Sequence, residues 1–161
     1  MFKKHVQKKL ERLTRKYFKK HHPKLIVVVG AVGKTTTKNA IAAVTSKRFR
    51  VEASDGNYNE QISVPFGIMG IKYPPYSLLR SYKVWRHIFK AMRKRINDPQ
   101  GVDVIIQELG TDAPGQIPHF GSYLRPDMAV VTSVAPEHME NFPEGLDQVA
   151  REELSVSRFS D

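Results

Sequence analysis

The 161-residue chain contains no cysteine, and that absence alone removes any disulfide framework and any thiolate zinc or iron–sulfur site. Long apolar runs are missing too: none approaches the roughly 20 residues that a membrane-spanning helix needs. The N-terminus is basic, yet it lacks the apolar core and small-residue cleavage site of a secretory signal. A soluble protein of a reducing compartment, with the cytoplasm as its location, is therefore expected. There is no internal repeat and no low-complexity tract. Acidic residues are also in short supply, with 16 Asp and Glu against 26 Lys and Arg and a formal charge of +10.

The shortage of acid is local. Residues 1–24 carry 10 basic side chains and one acidic, and residues 72–95 carry eight basic and none acidic. Residues 25–71 are near balance, and residues 96–161 reverse the sign with three basic against 12 acidic. Two basic segments are thus attached to a neutral and then acidic body, and each needs its own explanation.

What is present follows a regular alternation. Phe2, Val6, Leu10, Leu13 and Tyr17 recur at helical steps among lysines and arginines, which predicts a basic amphipathic helix over 2–20, ended by His21-His22-Pro23. The β-branched run Leu25–Val29, the glycines at 30 and 33, and a helical stretch from Thr35 to about Ser46 spell strand, turn and helix. Further short strands are expected at Phe49–Ala53, Val102–Gln107 and Met128–Ser133, and helical spacing over Tyr73–Asn97 and from Leu146 to about Arg158. The fold class is α/β, a three-layer sandwich with a mainly parallel sheet, of the P-loop NTPase kind.

The loop Gly30-Ala31-Val32-Gly33-Lys34-Thr35-Thr36 lies between strand and helix, the setting that a phosphate cradle requires. Glycines let backbone N–H groups turn toward phosphate oxygens, the helix N-terminus adds its dipole, Lys34 can offset phosphate charge, and the Thr35 hydroxyl can ligate Mg²⁺. The longer Walker pattern would want glycine at position 28, where this chain has Val28. A plain glycine turn with a chance lysine is the bland alternative, and the strand and helix on either side weigh against it.

Three further stretches follow in order: Asp55-Gly56-Asn57-Tyr58-Asn59-Glu60-Gln61-Ile62-Ser63-Val64-Pro65, then Glu108-Leu109-Gly110 with Gly115-Gln116-Ile117, then Arg125-Pro126-Asp127 through His138-Met139-Glu140-Asn141-Phe142. With the short loop, they resemble the central ATP-binding domain of the Mur ligases, ATP-dependent amide ligases of peptidoglycan precursor synthesis, and above all the members that add D-alanyl-D-alanine to a UDP-linked muramoyl peptide. The resemblance implies ATP and Mg²⁺ as cofactors and a reaction that passes through an acyl phosphate to an amide. It places Mg²⁺ ligands at Glu108 and His138, and it gives Asn57 or Asn59 a contact with the acyl phosphate or its metal. Both asparagines also suit plain turn chemistry.

Departures from the family pattern are equally legible. Where the family carries a carbamylated lysine beyond the histidine, this chain has no lysine after Lys94, and with an offset of one residue Glu153 takes that place. Glu153 either supplies the carboxylate for Mg²⁺ directly or, with Glu152, is a solvated helix acid. Glu60, Ser63 and Glu137 also depart. The expected organisation is a helical extension over 1–23 and a central domain over 24–161, C-terminally incomplete, with a basic helical insertion at about 73–97. Without substrate-binding and amine-binding domains, ligation by the chain alone is expected to be absent. A non-catalytic nucleotide-binding or membrane-associated module is the alternative. The helix of residues 1–20 has three possible uses: docking on the domain, an anionic membrane surface, and, ranked last, nucleic acid.

Overall fold

The computed structural model describes residues 2–54, 58–98 and 101–160. Its helices are α1 (Phe2–His21), α2 (Lys34–Thr45), α3 (Val64–Ile68), α4 (Tyr82–Asn97), α5 (Gln116–Phe120) and α6 (Leu146–Leu154). Its strands are β1 (Lys24–Val29), β2 (Val51–Ala53), β3 (Val104–Glu108) and β4 (Met128–Val131). They form one parallel sheet in the order β2-β3-β1-β4. Val28 pairs with Glu108 and Val29 with Val131, so β1, β3 and β4 end nearly level and open onto one edge.

Alternation along β1 decides which helices cover which face. Leu25, Val27 and Val29, with Ile105 of β3, join the main apolar core beneath α1, α3, α4 and α5. Ile26, Val28, Val104 and Ile106 face the other way and pack with Ile41 and Ala42 of α2. The result is the three-layer α/β arrangement that the sequence predicts, because side chains one residue apart on a strand point to opposite faces.

α1 spends its apolar stripe on this core: Val6, Leu10, Leu13 and Tyr17 are all buried. Each such burial stabilises by about 1.5–3 kcal/mol, an upper figure because unfolded chains are already partly collapsed. α1 lies beside α4, with the Lys9 ammonium 4.0 Å from the centroid of the Phe89 ring. The helix stops at His22, which adopts φ +50° just before Pro23.

Two segments differ from the periodic reading. Tyr73–Asn97 is not helical throughout; a 3-10 turn at Tyr76–Leu78 precedes α4, and Leu78 is exposed. The paired prolines at 74 and 75 account for this, since the residue before a proline is pushed out of the helical region and proline has no N–H to donate. The C-terminal helix also ends early, at Leu154, and Ser155–Arg158 tightens to 3-10 geometry.

Candidate phosphate-binding site

β1 carries the chain to Gly30 at the open edge of the sheet, between β3 and β4. Gly30 has φ +119°, and a Cβ there would lie 2.4 Å from Thr132 Oγ1 and 2.7 Å from the Ser133 carbonyl oxygen, so only glycine fits. The loop is tied to the chain just beyond β4. Ala31 N–H donates to the Ser133 carbonyl at 2.9 Å, and Val32 N–H donates to Ser133 Oγ at 3.0 Å. Gly33, at φ +89°, caps α2 without a side-chain hydrogen bond. The N–H groups of Lys34, Thr35 and Thr36 therefore begin the helix with no intrahelical acceptor. They border an open cleft of about 260 Å³ lined by Ala31, Gly33, Lys34, Thr35, Thr36, Asn59 and Glu108.

The charged groups around this cleft are tightly arranged. Lys34 Nζ folds back over the loop and donates to the carbonyls of Gly30 (2.5 Å) and Ala31 (2.9 Å). Thr35 Oγ1 donates to Glu108 Oε2 at 3.1 Å. Beneath it, Lys38 is fully buried; its ammonium donates to the Ser54 carbonyl at 2.5 Å and lies 3.0 Å from Glu108 Oε1. That second contact has ion-pair distance but lies outside hydrogen-bond geometry, which leaves Oε1 without a hydrogen-bond donor.

Glu152 and Glu153 are not solvated; both are buried, and they do different work. Glu152 accepts from Gly115 N–H (2.8 Å) and Ile117 N–H (2.7 Å), capping the start of α5. Glu153 accepts Gly30 N–H at 2.9 Å, against the first residue of the loop. Loss of water raises its carboxyl to about 7, against the opposing pull of the Gly30 N–H and the Lys34 charge. Its side chain is not among those lining the cleft.

His138 stands apart from Glu108. It sits at φ +52°, half exposed, with Nε2 3.3 Å from Asp112 Oδ1 and Nδ1 3.8 Å from Glu140 Oε1, and it does not line the cleft. Among the described residues no group of three or more His, Asp or Glu side chains is placed to hold a metal ion. Asn57 lies outside the described residues. Asn59 does reach the cleft, and it also borders a neighbouring polar cavity of about 240 Å³ together with Lys3, Gln7 and Gln61. The exposed Val32 is part of the loop but contributes no side chain to the cleft.

Sequence reasoning passed over Lys38 and the loop-holding role of Ser133, and it offered Glu152 only as a solvated helix acid, which its burial rules out. A signal existed for Lys38: it follows Lys34 by one helical turn, next to Ile41 and Ala42, which face the sheet, so a lysine there needs a buried partner. The donor chemistry fits a magnesium nucleotide. Thr35 and Glu108 offer hard oxygens beside open N–H groups, and Mg²⁺ is commonly held by one or two carboxylates plus phosphates.

A parallel α/β sheet with a central first strand, a glycine loop and an uncapped helix N-terminus defines a P-loop-like α/β domain, the setting in which such loops can receive phosphate. Residues 82–157 match the Mur ligase middle domain. The UDP-N-acetylmuramoyl-tripeptide--D-alanyl-D-alanine ligase of Bacillus subtilis is 26% identical over 132 residues, covering 82% of this chain and 23% of that protein. The ligase of the same name from Synechocystis is 29% identical over 115 residues, 71% of this chain and 19% of that protein. In fold, the MurF ligase of Thermotoga maritima in complex with ADP has a TM-score of 0.71 at 21% identity, over 96% of this chain and 30% of that one. MurF from Acinetobacter baumannii has a TM-score of 0.70 at 20% identity, over 94% and 28%. Just under half of the chain thus matches the Mur ligase middle domain, and the relatives it resembles over most of its length are MurF-type ligases. It spans about a quarter of the length of these curated relatives.

Proposed function

We propose that the cleft at Gly30–Thr36 binds the phosphates of ATP with Mg²⁺, and that the domain is the nucleotide-binding part of an ATP-dependent amide ligase acting on a UDP-linked muramoyl peptide. The observation that carries this reading is the convergence of the uncapped N-terminus of α2, Lys34, Thr35, Asn59 and Glu108 on one cleft. Lys34 would leave the carbonyls of Gly30 and Ala31 to meet the terminal phosphates. Thr35 and Glu108 would hold Mg²⁺, which supplies charge neutralisation along the phosphates. Asn59, at the boundary of the cleft and the neighbouring polar cavity, would orient the carboxylate that receives the phosphoryl group. Attack of an amine on the resulting acyl phosphate forms the amide and releases phosphate.

His138 would have to leave Asp112 and Glu140 to reach a metal at Glu108, and Glu153 would have to give up the Gly30 N–H. We therefore assign Glu153 to holding the loop, with metal binding left to Thr35 and Glu108. The reading puts the protein in the cytoplasm, where the nucleotide substrates are, with the basic residues of 1–20 toward the inner face of the membrane. Calorimetry with ADP or ATP and Mg²⁺ tests it. Wild type is expected to bind and Lys34→Ala to lose at least about tenfold in affinity, a loss of about 1.4 kcal/mol. Equal binding by both would remove Lys34 from the site, and binding by neither would overturn the nucleotide reading for this chain.

A further inference from the structure

The two basic segments, far apart in sequence, meet in space. α1 and α4 run side by side in the same direction: Lys9 covers Phe89, while Lys20 reaches Asn97 Oδ1 and the His21 ring reaches the Ile96 carbonyl. Their apolar sides are consumed by the core, Trp85 and Phe89 included. Outward they present Arg12, Lys16 and Lys19 from α1 and Arg86, Lys90 and Arg93 from α4, all exposed and at matching steps of four and three. These two helices contain a single acid, Glu11, which is buried and paired with His119. At 20 and 16 residues they form a cationic face about 30 Å long.

The ends of this face differ from its middle. Phe2 and Tyr82, the first residues of the two helices, are exposed, and Tyr76 just before α4 is 89% exposed. We propose that the α1–α4 face is a peripheral docking surface for an anionic lipid bilayer, with its lysines and arginines on headgroup phosphates and Phe2, Tyr76 and Tyr82 at headgroup level. Surfaces that bind single-stranded nucleic acid set aromatic rings among the cations so that bases can stack. Here the rings along the face are buried, and the exposed ones gather at one end, as in the aromatic belts of membrane interfaces. Among the described residues no helix is long and apolar enough to cross a membrane, so contact is electrostatic and shallow. The proposal deepens the membrane contact given above to residues 1–20 and is independent of the nucleotide reading.

The test is sedimentation of the full chain with vesicles of phosphatidylcholine containing about one-third phosphatidylglycerol, against pure phosphatidylcholine, at about 0.1 M salt. Wild type is expected to bind only the anionic vesicles and to be released by high salt. The triple variants Arg12→Gln/Lys16→Gln/Lys19→Gln and Arg86→Gln/Lys90→Gln/Arg93→Gln should each weaken binding about a hundredfold, at about fivefold per charge, with unchanged far-UV circular dichroism. No binding by wild type overturns the proposal, as does a loss confined to the α1 variant. Tight binding of a single-stranded RNA oligonucleotide that vesicles cannot displace would assign the face to nucleic acid and overturn it as well. Lys34→Ala should sediment like wild type, so failure here and failure of the nucleotide reading give different results.

Discussion

Charge is handled in opposite ways in two regions of this protein. On α1 and α4 most of it stays in water, with many cations and a single acid, Glu11, on the two helices; at the open edge of the sheet a few charged groups are buried, and each is committed to a particular partner. Lys38 and Glu108 are almost wholly excluded from solvent, and Glu153 holds a backbone N–H of the glycine loop. The difference teaches that the +10 formal charge describes the first region, whereas the chemistry proposed for the second rests on four or five side chains that hardly alter that total.

Breaking the buried side of this contrast should have the largest effect. Lys38→Met leaves the Glu108 carboxylate in an apolar setting with only the Thr35 hydroxyl, and such a stranded charge typically costs about 3–5 kcal/mol. Urea unfolding should show that loss, and Lys38→Met/Glu108→Leu should recover most of it because no charge remains unpaired. A loss under about 1 kcal/mol for the single variant would mean that water reaches the pair.

Next in size is the loop itself. Gly30→Ala forces a Cβ against Thr132 and Ser133 at a φ that alanine rarely adopts, a strain of about 1–3 kcal/mol. Because relief requires the loop to move away from Ser133, nucleotide affinity should fall along with thermal stability. A variant that loses neither would show that the loop can relax without cost.

Glu153 sharpens the comparison through pH. Its folded carboxyl titrates at about 7 against an ordinary 4.5. The native state therefore holds a proton that the unfolded chain has released, and stability from this group is present below about pH 4.5 and is lost as pH rises through 7. The shift corresponds to about 3 kcal/mol across that window. Glu153→Gln keeps an acceptor for the Gly30 N–H and cannot ionise, so its melting temperature should lack the decline that wild type shows between pH 5 and 8. Parallel pH profiles for the two proteins would show that the carboxylate is adequately solvated.

How much of this was legible in the sequence depends on periodicity and context. All four strands, their parallel sense and the helix after the glycine loop follow from short β-branched runs and turn residues, because period and punctuation are local properties. The glycine loop between strand and helix was equally plain, since its glycines, lysine and threonine lie together in the chain. The partners of Lys38 and of Glu153 were not, because they come from residues brought close only by the sheet: Glu108 from β3 and Gly30 from the end of β1. Glu152 and Glu153 show this most sharply. As neighbours in an acidic stretch they look alike, yet one caps α5 and the other holds the loop. The paired prolines before Tyr76 were visible, but apolar spacing on both sides of them concealed the break.

The smallest expected effect lies on the other side of the comparison. Lys16→Gln and Lys90→Gln remove exposed charges whose stems lie outside the core, and substitutions of that kind usually stay within about 0.5 kcal/mol. Stability at low salt should hold or rise slightly, because each change relieves repulsion from neighbours of the same sign, and added salt should erase any gain. Chemical unfolding at two ionic strengths reads this directly. If either substitution instead destabilised the fold by more than about 1 kcal/mol, these lysines would be packing their stems against α1 and α4, and the division between a solvated basic face and a buried charged site would need to be redrawn.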